Sequence, residues 1–145
     1  MDKDTTRSLS RRLEQLNKQS DADRFISSHS AEEQTFSDLL LQQMEARGLR
    51  KSEVVRRSGI SKNYVYNILS GSKANPGRDK VLALCIASEM TYRQTQHALE
   101  IAGVRPLYPR DERDVRIAIA INGGLQEVII INILLDEYGL DPLDI

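Results

Sequence analysis

The side chains best placed to do chemistry lie between Lys51 and Arg78. At about 100° per residue, Asn63, Asn67 and Ser70 fall on one side of a short helical pattern, opposite Val65, Ile68 and Leu69. Lys62 stands at the start of that pattern, and Tyr64 and Tyr66 lie on its flanks. A lysine reaches guanine O6 or N7, and an asparagine amide pairs with adenine N6 and N7, so Lys62, Asn63 and Asn67 suit base edges. The hydroxyls of Tyr64, Tyr66 and Ser70 suit phosphate oxygens, which set register without reading sequence. Lys51 suits a phosphate or a groove edge, and Ser61 belongs to the same expected DNA-binding set. Lys73 and Arg78 flank the following loop and would add phosphate contacts that weaken with salt.

These residues need elements to hold them. Lys51–Gly71, KSEVVRRSGISKNYVYNILSG, reads as two short helices around a tight Ser58-Gly59-Ile60-Ser61 break. Ser52 is expected to cap the first helix and Ser61 the second. Gly59 stands where a positive φ is needed, and Ile60 would pack under the turn. This is the pattern of a helix-turn-helix that lays its second helix in a DNA groove. Upstream, Phe36, Leu39, Leu40 and Met44 mark one face of a helix ending at Gly48. Downstream, a loop over 72–77 precedes a helix that buries Val81, Leu82, Leu84, Cys85 and Ile86. Thr91 and Gln94 form a capping box for another helix, which stops at Gly103. Pro106 and Pro109 mark a linker.

The chain's 145 residues suit one compact domain with appendages. With 40% hydrophobic and 5% aromatic residues and no Trp, the core must be aliphatic. Net charge is −1, but it is unevenly spread. Residues 37–90 carry nine basic against five acidic side chains, and residues 91–145 carry five against nine. Positive charge therefore gathers around the motif, as a phosphate footprint requires. No window has the length and apolarity of a membrane span, and charge from Asp2 onward argues against a secretory signal. The single cysteine, Cys85, excludes an internal disulfide and fits a reducing cytoplasm. His29 and His97 have no second metal ligand at a useful spacing. No nucleophile-base set or phosphate loop is present, so neither an enzyme nor a cofactor is expected.

The ends of the chain are less definite. Residues 1–30 form a polar arm with a weak stripe of Leu9, Leu13 and Leu16, a patch of Ala22, Phe25 and Ile26, and a loop at Ser27–Ser30. The arm suits either docking or partial disorder. Residues 31–103 are the expected DNA-binding domain, and residues 104–145 the expected extension. In that extension the alternating 116–122 run, Gly123-Gly124 and the β-branched 128–133 run fit a β-hairpin. Acidic Asp111, Glu112 and Asp114, with Gly139 as a C-cap, fit two helices over 111–122 and 125–138 instead, the favoured reading. The 128–135 run is apolar nearly all round, which asks for a partner or for burial against the chain's own bundle. The expected homodimer interface is Ile117, Ile121, Ile130, Ile131 and Leu134.

Residues 36–90 resemble the Xre/Cro-like helix-turn-helix family of phage and bacterial repressors. The carriers are Ser52-Glu53-Val54-Val55, Ser58-Gly59-Ile60-Ser61, Tyr64-Val65, Ile68-Leu69-Ser70-Gly71 and the helix through 81–86. The stretch from Phe36 to Leu140 is also similar to small bacterial regulators carrying Leu107-Tyr108-Pro109-Arg110, Asn122-Gly123-Gly124-Leu125 and Glu137-Tyr138-Gly139-Leu140. The resemblance implies an all-α, five-helix repressor-like bundle with an N-terminal helical arm and a C-terminal helical extension. It implies a homodimeric, operator-binding regulator, bacterial or phage-encoded, in the cytoplasm and on the nucleoid when bound. A protein-interaction adaptor, such as an antitoxin that neutralises a regulatory partner, is the alternative. Two departures stand out. Family members usually have glycine where this chain has Glu89, and often serine where it has Gln126.

Overall fold

A computed structural model describes residues 6–29, 34–72 and 75–145. Among the described residues the chain is all-helical, with nine helices and no strand. It divides into two compact units, 1–34 and 35–145. In the first unit, α1 spans Thr6–Glu14 and α2 spans Gln19–His29. Ser27 and Ser28 therefore lie inside a helix rather than in the expected loop. Leu13 and Ile26 are exposed.

The second unit contains α3 (Phe36–Arg47), α4 (Lys51–Ser58), α5 (Lys62–Leu69), α6 (Arg78–Ala87), α7 (Tyr92–Ile101), α8 (Glu112–Asn122) and α9 (Val128–Glu137). Helix α6 is its hub. All of Val81–Ser88 is buried, and α4, α7 and α9 pack around it. A face of α4 is set by Val54, and one of α5 by Val65, Ile68 and Leu69, all buried in a continuous aliphatic core. The Cys85 thiol lies inside it, where burial pushes its pKa up and keeps it protonated.

Local signals start and stop these helices. Thr35 and Asp38 form a capping box for α3, which ends at Gly48 with φ 65°. Thr91 and Gln94 do the same for α7. Ser52 does not cap α4. The cap lies two residues earlier, with Arg50 as the extended N-cap and the Glu53 carboxylate accepting from the Arg50 N–H at 3.1 Å. Glu53 reaches back to the backbone whatever residue stands at the cap, so no serine is needed.

The extension forms two helices rather than a hairpin. The Asp111 carboxylate accepts the Asp114 N–H at 2.9 Å and starts α8. Ile117 and Ile121 on α8 then join Val128, Ile131 and Leu135 of α9 in the shared core. This corrects the expected dimer surface. Ile117, Ile121 and Ile131 are buried within their own chain, while Ile119, Ile129, Ile130 and Ile133 are exposed and Leu134 is half-buried. Without a serine, α9 starts from Glu127, whose side chain leaves the backbone uncapped and takes Arg56 instead, at 2.8 Å.

Three arginines tie the elements together. Arg78 at the start of α6 forks onto both oxygens of Asp114 at 3.1 and 2.8 Å. It also donates to the carbonyls of Arg105 and Pro106 at 2.7 and 3.0 Å. Beside it, Arg113 forks onto Asp79 and donates to the carbonyls of Asp141 and Pro142. Asp79 accepts the Asp144 N–H as well, at 2.9 Å. Arg57 of α4 joins Glu89, just after α6, at 2.8 Å. Glu89 has φ 63°, the only positive φ outside glycine among the described residues. A left-handed residue carries a side chain here, and its carboxylate is taken up by Arg57.

Candidate nucleic-acid interface

Helices α4 and α5 are joined by residues 59–61, with Gly59 at φ 73°. Ser58 sits fully buried beneath the turn. Its hydroxyl donates to the Val55 carbonyl and accepts the Ile60 N–H, each at 3.2 Å. Ser61 caps α5 by accepting the Tyr64 N–H at 3.3 Å. At the far end, the Ser37 hydroxyl of α3 donates to the Ile68 carbonyl. Gly59 also has a tertiary neighbour: a methyl in the place of its α-hydrogen would lie 2.6 Å from Ile145 Cδ1. The tail after α9 thus touches the turn that orients α5.

With Val65, Ile68 and Leu69 buried, α5 turns Lys62, Asn63, Tyr66, Asn67 and Ser70 to solvent. The amides of Asn63 and Asn67 have no hydrogen-bond partner among the described residues. Lys51 of α4 reaches the same edge. Its ammonium lies 5.3 Å from the centre of the Tyr66 ring, and that of Lys62 lies 5.4 Å from it. One aromatic ring therefore carries two cations, neither paired with a carboxylate among the described residues.

The other expected contacts separate. Ser70 spends its hydroxyl on the Asn67 carbonyl at 3.1 Å and on Ser72 at 3.0 Å, which shapes the end of α5. Tyr64 is half-buried on the opposite flank, and burial raises its pKa, so its hydroxyl stays protonated. Lys73 lies outside the described residues. Arg78 is not a surface cation: its guanidinium is turned inward and filled by Asp114 and two carbonyls. The residue that sequence reasoning missed is Lys80, whose ammonium stands 5.3 Å from the Tyr64 ring centre. No local pattern announces that pair, because it joins α5 to α6 across an intervening loop.

Residues 35–98 match the family model described as a helix-turn-helix domain. Within it, α4, the 59–61 turn and α5 have the arrangement of a helix-turn-helix. The match takes in α3 to α6 and most of α7, and so the whole exposed edge of α5. No curated protein and no solved structure gives a significant match. A match of this kind supports DNA as a partner. No helix among the described residues is long and apolar enough to cross a membrane.

Proposed function

We propose that this protein is a sequence-specific DNA-binding transcriptional regulator of the Xre/Cro-like class, a repressor that binds its operator as a homodimer. The observation that carries the reading is the outer face of α5. Asn63 and Asn67 stand side by side with unengaged amides, and Lys51 and Lys62 are held beside them on Tyr66. Base edges and phosphates supply what those groups lack. Selection of bound sequences from a random duplex pool tests it. A palindromic consensus with half-sites about one helical turn apart is expected. Failure to enrich any sequence would remove the claim of specificity.

The homodimer rests on the outer faces of α8 and α9. Ile119, Ile129, Ile130 and Ile133 are exposed, and Val128–Leu135 carries no charge. A two-fold contact brings identical residues together, so an uncharged surface suits a second copy without like-charge repulsion. Ile130→Glu is expected to sediment as a monomer. A dimer of that variant persisting at low micromolar concentration would count against this face.

A further inference from the structure

Around α5, Tyr66 and Tyr64 stand on opposite sides of the line through Asn63 and Asn67, each roughly 60–100° away from Asn63. Tyr66 carries Lys51 and Lys62 on one flank. Tyr64 carries Lys80 on the other. A helix lying in a major groove has a phosphate wall on each side, so cations on a single flank would leave one wall unmet. Arg78 cannot meet it, because its guanidinium is consumed inside the fold. Asp79, the next residue, is taken up by Arg113. Lys80 is the cation left on that first turn of α6, with no ion pair among the described residues.

We infer that Lys80 is a phosphate-binding residue for the groove wall opposite Lys51 and Lys62, and that the ring of Tyr64 is its positioning residue. The inference rests on the DNA-binding reading and extends it to a second helix. Lysine is suited to this role. It is a compact, strongly hydrated charge that an aromatic face can steer without neutralising, whereas a carboxylate would cancel it. Tyr64 is anchored by half-burial against the core, so its ring is a fixed support.

Phosphate contacts do not depend on sequence, so the test needs no operator. Binding of the full chain to a mixed-sequence duplex about two helical turns long is followed by fluorescence anisotropy over a range of salt. The slope of log affinity against log salt should become shallower by about one unit in Lys80→Gln. Lys80→Arg should keep the wild-type slope. Tyr64→Phe, which retains the ring, should behave as wild type, and Tyr64→Leu, which retains the packing, should lose part of the slope. A wild-type slope in Lys80→Gln overturns the inference while leaving the DNA reading intact. A wild-type slope in Tyr64→Leu overturns the positioning role. A native chain that shows no salt-dependent binding overturns both the inference and the reading beneath it.

Discussion

Two groups of cations lie close together in this protein and are treated in opposite ways. On the α4–α5 edge, Lys51 and Lys62 rest on the ring of Tyr66 and meet no carboxylate among the described residues. Around α6, Arg57, Arg78 and Arg113 are each committed to a carboxylate and at least one backbone carbonyl. The chemistry of the two residues accounts for the division. A planar guanidinium fills several acceptors at once and tolerates burial, while an ammonium keeps its water and remains available to an outside anion. Cation count along the chain is thus a poor guide to available charge, because the fold withdraws Arg57, Arg78 and Arg113 and leaves Lys51 and Lys62.

Removing the most committed carboxylate should show the largest effect. Asp114 is 1% exposed and its partner Arg78 is 16% exposed. Asp114→Ala strands a buried guanidinium and should cost about 3 kcal/mol or more, read as a fall in the unfolding midpoint. If stability is unchanged, the arginine cluster is not structural and the contrast fails.

The same pair predicts an acid limit. Burial alone would raise the Asp114 pKa. The Arg78 hydrogen bonds, the Tyr108 N–H and the charges of Arg78 and Arg105 outweigh it, so the carboxyl lies below its ordinary range. A depressed folded pKa contributes stability that is complete above the unfolded value of about 4 and lost as pH falls through the folded one. Denaturant unfolding should therefore show a stability loss below about pH 4 that is smaller in Asp114→Asn. Equal acid sensitivity in the two proteins would place the titration elsewhere.

On the lysine edge the expectations invert. Asn63→Ala and Asn67→Ala should each weaken specific binding by about 1–3 kcal/mol with no change in melting temperature. A melting shift comparable to that of Asp114→Ala would mean these amides are part of the fold. The smallest effect concerns Glu89. Glu89→Ala keeps the left-handed residue and loses the Arg57 pair, whereas Glu89→Gly loses the pair but removes the strain. The alanine variant should be less stable than the glycine one by about 1 kcal/mol, checked by denaturant titration. Equal stability would show that the turn carries no strain.

Much of the exposed α5 edge was legible from local pattern. Val65, Ile68 and Leu69 at helical spacing define the buried side, so Asn63 and Asn67 had to face out, and Ser61 had to cap. What local pattern mistook were residues whose partners are distant in sequence. Arg78 looked like a free cation until Asp114, 36 residues on, reached it. Ile117, Ile121 and Ile131 looked like partner surface until α8 and α9 folded back onto the bundle.

The sequence by itself determined where α5 and α7 begin and where α3 ends, because caps, left-handed glycines and apolar spacing act within a turn or two of chain. It also determined which face of α5 turns outward, since burying the opposite face leaves no other choice. Only the tertiary structure decided which cations remain free. An ion pair depends on what arrives within a few ångströms in space, and Asp114 near Arg78, Glu89 near Arg57 and Tyr64 near Lys80 are brought together by packing rather than by spacing along the chain.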